Sequence, residues 1–291
     1  MHSAPDTSSV DHLPGSGIDL HTHTTASDGL LSPAGLVELA SQRGISVLGV
    51  TDHDTLAGLE EARQAAMEAN VELVPGVELS TTIPGPEIHI LGYFVDPSDR
   101  SLRARLDELA IDRVRRIERV VSQLNEAGYP VRLDEVMAEA HGGSIGRPHV
   151  ARALIELGAA TDMNDAFTRF LRRGTVGWAP RSPFTAEEAV GLLREHGAVP
   201  VLAHPFSTGD PEGTVARLAP AGLRGLEVHY GSYDHAQQAE LARIATDFRL
   251  LATGGSDYHG PRFREGRELG TVDVPQAAWE RLREAAGGSR R

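Results

Sequence analysis

The side chains best able to do chemistry in this chain are imidazoles and carboxylates placed where short apolar runs end. His21-Thr22-His23 closes the run Ile18–Leu20, with Asp28 just beyond. Residues i and i+2 of a strand project to the same side, so both imidazoles can converge on one cation. Asp257 and His259 repeat that spacing in Gly254-Gly255-Ser256-Asp257-Tyr258-His259, after Leu250–Ala252. Thr51-Asp52-His53-Asp54 follows Val47–Val50, Gly76-Val77-Glu78 ends a third run, and Ala203-His204-Pro205 ends another. Glu87-Ile88-His89-Ile90 carries a histidine inside an apolar stretch. Each feature alone has an ordinary alternative: a surface histidine pair, Asp54 as a helix cap, His89 as a hydrogen-bonded core residue. Together they put a ligand-capable group at every candidate strand end but the sixth, which points to bound divalent metal. Asp19 and Asp52 adjoin these residues and are expected to orient ligating rings by accepting hydrogen bonds.

Such groups need a frame that aims them at one place. Seven β-rich runs are candidates for strands: Ile18–Leu20, Val47–Val50, Val71–Val77, Ile88–Tyr93, Val199–Ala203, Gly225–Val228 and Leu250–Ala252. Helical patterns at Pro33–Arg43, Leu59–Ala69, Ala186–His196 and Ala236–Asp247 lie between them, and Ser32 before Pro33 predicts an N-cap. The rhythm predicts parallel strands in an α/β barrel, one strand short of the eightfold form. The middle differs: Leu102–Ala127 reads as a long Arg-rich amphipathic helix, followed by helices near Leu133–Ala140, His149–Leu157 and Met163–Leu171. The expected organisation is a disordered lead-in at 1–16 holding His2 and His12, barrel segments at 17–98 and 182–272, a helical insertion at 99–181 between the fourth and fifth strands, and a C-terminal helix and tail at 273–291.

Composition narrows the chemistry. The formal net charge is −13, which disfavours binding to duplex nucleic acid. The insertion nevertheless holds 14 of the 28 basic residues against 12 of the 41 acids, so an anionic ligand finds its side-chain cations there. Every basic residue is Arg, which rules out a Schiff base or a carbamylated-lysine metal bridge. Cysteine is absent, which excludes thiolate sites and fits a cytoplasmic protein. No apolar run is long enough to span a bilayer, and the first residues lack the basic-then-apolar pattern of a secretory signal.

In order, DLHTHTTASDG, TDHD, GVE, EIHILGY, AHP and GSDYHG resemble the PHP (polymerase and histidinol phosphatase) family over roughly residues 18–260. IGRPH within a helical insertion is similar to the stand-alone branch that dephosphorylates 3′,5′-nucleoside bisphosphates, some members of which trim RNA from its 5′ end. The resemblance implies a distorted (β/α)7 barrel and two to three divalent ions. One would take His21, His23, Glu78 and Asp257; a second would share Glu78 and take His89 and His204; a third would take Asp28, His53 and His259. Asp28 stands where some relatives have histidine. Mixed His/carboxylate ligation suits Mn²⁺, Fe²⁺ or Zn²⁺. The implied chemistry is attack on phosphorus by a metal-bridging hydroxide, with Glu78, His204 and Asp257 at the catalytic centre.

Arg147 in IGRPH is the expected phosphate ligand, since a guanidinium fork grips phosphate bidentately. Arg113 and Arg116, at i and i+3, form either a second clamp or a solvated helix face. His149 is either a substrate contact or a helix-end packing group, and Trp178 either stacks on a base or packs. His229 is a candidate to support a ligand, while His141, His196 and His235 read as surface residues. The substrate expected is a small anionic phosphoester: the 3′-phosphate of a pAp-like bisphosphate, or alternatively the 5′ end of a short RNA. A sugar-phosphate or histidinol-phosphate substrate fits the insertion less well. An amidohydrolase would lack its usual lysine, and a non-catalytic polymerase module would not need an intact ligand set.

Overall fold

The computed structural model describes residues 17–81, 87–261 and 267–288. The lead-in expected at 1–16, with His2 and His12, and the final residues of the tail lie outside that range. The seven runs are strands: β1 (Ile18–Thr22), β2 (Val47–Val50), β3 (Glu72–Ser80), β4 (His89–Tyr93), β5 (Val199–Leu202), β6 (Gly225–Tyr230) and β7 (Leu251–Gly255). β1, β2 and β5 are buried at every residue, which is why they read as near-continuous apolar runs. The sheet follows chain order from β1 to β7 and is nearly closed into a barrel. Beyond the paired strands, Asp257 N–H donates to His21 O at 2.8 Å and His23 N–H to Tyr258 O at 2.9 Å, drawing the two ends together.

One expectation fails in direction. β4 runs antiparallel to both β3 and β5, whereas the other neighbours are parallel. A parallel return needs a crossover of a dozen or more residues, and Ser80 and His89 are too close in sequence to allow one. Antiparallel entry is what brings His89 directly opposite Ser80, two residues from Glu78.

Helices α1 (Pro33–Gln42), α2 (Leu59–Ala69), α7 (Ala186–Glu195), α8 (Pro211–Leu218) and α9 (His235–Asp247) surround the barrel. Ser32 caps α1 by accepting from Gly35 N at 3.1 Å, with Pro33 in the first turn, as its sequence predicts. α8, capped by Asp210, was not anticipated. The insertion contains α3 (Arg100–Glu126), α4 (Leu133–Glu139), α5 (Arg147–Glu156) and α6 (Met163–Ala166), the last continuing as a π-helical turn, Phe167–Leu171. α10 (Gln276–Gly288) seats Trp279 and Leu282 in a core shared with Val199 and Val201. No described helix is long and apolar enough to cross a membrane.

α3 explains how the insertion is held. Its apolar stripe recurs at helical spacing, but it serves two cores. Leu102, Leu106 and Leu109 pack with the barrel helices, while Ile117, Val120, Val121 and Leu124 form the insertion core with Val150, Leu154 and Phe170. Arg113 and Arg116 occupy the same buried stripe where it passes from one core to the other. At about 1.5 Å per residue the helix is ~40 Å long, enough to span both.

Closure depends on Gly255, because a Cβ there would lie 2.4 Å from His21 N. Gly255→Val should therefore destabilise the fold by at least ~1–3 kcal/mol in a denaturant titration, and an unchanged midpoint would mean the β1/β7 seam is not this tight.

Candidate metal centre

The barrel delivers its polar residues to one end. Glu78 sits in β3, His89 opens β4, His21 lies in β1, and His53, His204 and Asp257 follow β2, β5 and β7. Two of these positions require unusual backbone: His204 has φ 28° and Asp257 φ 55°, values that residues with a Cβ rarely adopt. Glu78 is the focus. Its Oε1 lies 2.8 Å from His89 Nδ1 and 3.0 Å from His204 Nε2. Its Oε2 lies 3.3 Å from His21 Nε2, 3.2 Å from His23 Nε2 and 3.1 Å from His53 Nδ1. Asp257 Oδ1 approaches His23 Nε2 to 3.2 Å, while its Oδ2 accepts from Tyr230 OH at 2.8 Å and pairs with Arg267.

Three groups of donor atoms result: His21, His23, Glu78 and Asp257; His53, Glu78 and His89; and His23, Asp28, His53 and His259. They contain every expected ligand except His204, which lies in none of them and approaches Glu78 Oε1 instead. The grouping differs from expectation in that His23 and His53 each belong to two groups.

Divalent cations fit this arrangement. Among the described residues, His21 Nε2, both ring nitrogens of His23, His53 Nδ1, Glu78 Oε2 and Asp28 Oδ1 are buried with no hydrogen-bond partner. Orphaned buried polar atoms are costly unless something else engages them. Ligand atoms ~2.1 Å from a common ion, at angles near ~90–110°, lie ~3.0–3.4 Å from each other, which is the spacing seen around Glu78 Oε2. The rings are also aimed. His259 Nδ1–H donates to Asp257 O at 2.8 Å, which leaves Nε2 directed at Asp28.

Protonation follows the crowding. For His23, burial opposes the charged ring, but the adjacent Asp257 and Glu78 carboxylates outweigh it and raise the value to about 10. For His53, burial, reinforced by His23 and His89, wins over Glu78 and Asp28 and pushes it down to about 3. Burial would lift Glu78, yet His53, His89 and His21 hold it well below the usual carboxylate range.

The centre opens on a cavity of about 360 Å³ that arginines also line. Arg113, Arg116, Arg147 and Arg181 line it together with Glu87, while Asp54 pairs with Arg113 and Arg181 from outside the lining. Glu87 gathers Arg116 at 3.0 Å, Arg181 at 3.1 Å and Arg147. Arg147 also reaches Leu171 O and stands 5.7 Å from the Phe167 ring. Arg113 is not a solvated helix face: it is buried, its Nε, Nη1 and Nη2 each donate one bond, to Asp54, Ile145 O and Ser80, and it lines the cavity. His149 is 1% exposed; its Nε2–H donates to Ser27 O and its Nδ1 accepts from Gly146 N–H, so it fixes a helix end rather than facing the cavity.

Several neighbours behave differently from their sequence reading. Asp52 accepts from Thr24 and Ser27 and shapes the loop after β1. Asp19 accepts from Ser256 N and Gly270 N, so it holds backbone, not rings. Asp54 caps no helix; it receives Ser80 N–H and pairs with Arg113. His196 pairs with the α3 cap Asp99 at 2.6 Å, while His141 and His235 are exposed as expected. Trp178 faces Arg173 and does not line the cavity, and neither does His229. Glu227, Glu87, Arg181, Tyr230 and Arg267 were missed. Glu227 had a readable signal: Leu226 and Val228 pack in the core beside the helices, so strand alternation turns the acid between them the other way.

A seven-stranded barrel with these carboxylate-bridged histidines defines a metal-dependent phosphoesterase, and comparison with known proteins agrees. The PHP domain family matches residues 19–159. The chain is 36% identical over 270 residues to the 5′-3′ exoribonuclease Rnm of Salmonella typhimurium, covering 90% of this chain and 92% of the relative. It is 34% identical over 264 residues to the 3′,5′-nucleoside bisphosphate phosphatase of Chromobacterium violaceum, covering 89% and 92%. A Bifidobacterium adolescentis protein, crystallised under the description of a metal-dependent phosphoesterase, superposes with a TM-score of 0.85 at 30% identity, covering 94% and 97%. The chain belongs to the PHP family.

Because the metal-free His23 titrates at about 10, it is protonated at neutral pH and must lose that proton to become a ligand. Metal binding should release protons and weaken as pH falls. Calorimetric Mn²⁺ titrations in two buffers of different ionisation enthalpy should give different heats; identical heats would contradict this.

Proposed function

We propose that this chain removes the 3′-phosphate from 3′,5′-nucleoside bisphosphates of the pAp type. The observation that supports this most strongly is a cavity lined by both metal-ligating groups and arginines. Its lining combines His, Asp and Glu donors with Arg113, Arg116, Arg147, Arg181 and Arg267 in a volume of about 360 Å³. Such a volume suits one small ligand, since ligand pockets run from ~300 to 1,000 Å³. A substrate with two phosphates can engage both kinds of group. The 34% identity to the Chromobacterium violaceum phosphatase supports the same reading.

In this reading His21, His23, Glu78 and Asp257 hold one Mn²⁺, Fe²⁺ or Zn²⁺, Glu78, His89 and His204 a second, and Asp28, His53 and His259 a third. Ions bound there would supply Lewis acidity and a water acidic enough to attack phosphorus near neutral pH. The protein does the rest. Arg147 and Arg116 bind the distal phosphate, with Glu87 holding their guanidiniums in place meanwhile. Arg267 and Tyr230 fix Asp257, so that only Oδ1 faces the centre.

The 36% identity to the Salmonella typhimurium exoribonuclease favours a second reading, 5′-to-3′ trimming of short RNA at the same centre. One assay separates them. Mn²⁺-loaded protein should release inorganic phosphate from pAp, and Arg147→Met should raise KM more than it lowers kcat. No phosphate above the metal blank, together with stepwise shortening of a 5′-labelled oligonucleotide, would replace the first reading with the second.

A further inference from the structure

We propose that Glu227 is a positioning residue that sets the ligands of two metal sites at once, one with each carboxylate oxygen. The inference rests on the metal-dependent reading above. Glu227 lies in β6, the one strand to which no ligand was assigned, and is completely buried. Its Oε1 accepts from His21 Nδ1–H at 2.8 Å. Its Oε2 accepts from the His204 backbone N–H at 2.6 Å.

The first bond decides which nitrogen of His21 is available. With Nδ1–H committed to Glu227, Nε2 carries the lone pair, and Nε2 is the atom left without a partner beside Glu78 and Asp257 at 3.3 and 3.5 Å. The second bond holds the bend that aims His204. That residue sits at φ 28°, ψ 64°, a strained conformation for a residue with a Cβ. The bend turns the ring so that Nε2 lies 3.0 Å from Glu78 Oε1. His21 belongs to the first donor group and His204 reaches the second, so a single side chain on β6 serves both.

Both Glu227 oxygens are taken by N–H donors, and Glu227 belongs to none of the three donor groups. It therefore acts through the ligands and not as one. A carboxylate suits the post better than an amide. Two donors converge on it, each needing an acceptor, and its charge makes the His21 ring a stronger base toward a cation. Glutamine has one acceptor oxygen and would set its NH₂ against one of the two donors.

The test uses the full chain and Mn²⁺ alone. Wild type, Glu227→Gln and Glu227→Asp are stripped with chelator, checked by far-UV circular dichroism and thermal melting, and titrated with Mn²⁺ by calorimetry. Removing such an outer hydrogen-bond partner weakens metal affinity about 10–100-fold. Glu227→Gln should show a loss of that size at two sites together, with the Asp28–His53–His259 group retaining its ion. Glu227→Asp, which keeps both acceptor oxygens, should recover part of the affinity, and it carries the test if Glu227→Gln does not fold. Unchanged affinity in the folded variants, or a loss confined to one site, would overturn the inference. A wild type that binds no Mn²⁺ would overturn the metal reading and this inference with it.

Discussion

The structure turns on one buried carboxylate. Glu78 is 1% exposed, yet five imidazoles lie within 3.3 Å of its two oxygens. An ionised carboxylate taken out of water is strongly disfavoured unless charge and hydrogen bonds compensate it. Here the compensation comes from residues contributed by four segments around the barrel, at β1, β2, β4 and β5, which is why the site exists only when the sheet is formed. It also explains why the two oxygens divide the histidines between them: Oε2 collects His21, His23 and His53, and Oε1 collects His89 and His204.

The rest of the fold can be understood as meeting that requirement. The antiparallel β4 brings His89 toward Glu78 from the opposite strand direction. Gly255 lets β7 approach β1 closely enough for Asp257 to reach His21 and His23. α3 anchors the insertion in two cores and carries Arg113 and Arg116 across the gap between them, so the arginine cluster is tied to the barrel by Arg113–Asp54. The metal centre and the arginine cluster are thus braced against each other through Asp54, which also receives Ser80 N–H two residues from Glu78.

Much of this was legible in the sequence because strand periodicity is a strong physical signal. His21 with His23, and Asp257 with His259, announce themselves by i, i+2 spacing at strand ends, and the insertion shows itself as consecutive helical stretches, the first long and Arg-rich, that interrupt the alternation of strands and helices. What was hidden depends on three-dimensional proximity. Glu227 sits in the middle of an apolar strand and looks like a lone buried acid until His21 and His204 are placed around it. The spacing of Arg113 and Arg116 fits either a phosphate clamp or a solvated helix face; only the fold reveals that both are buried and that Asp54, 59 residues away, pairs with Arg113. The direction of β4 was misread because alternation reports which face a residue occupies, not which way the strand runs.

The central claim is that the orphaned atoms around Glu78 are metal ligands. Anomalous diffraction at the manganese edge from Mn²⁺-soaked crystals tests it most directly. The account predicts one peak enclosed by His21 Nε2, His23 Nε2, Glu78 Oε2 and Asp257 Oδ1, and another beside Glu78 Oε1, His89 and His204. Absence of both peaks in fully soaked crystals, with the histidines and Glu78 unchanged in position, would contradict it.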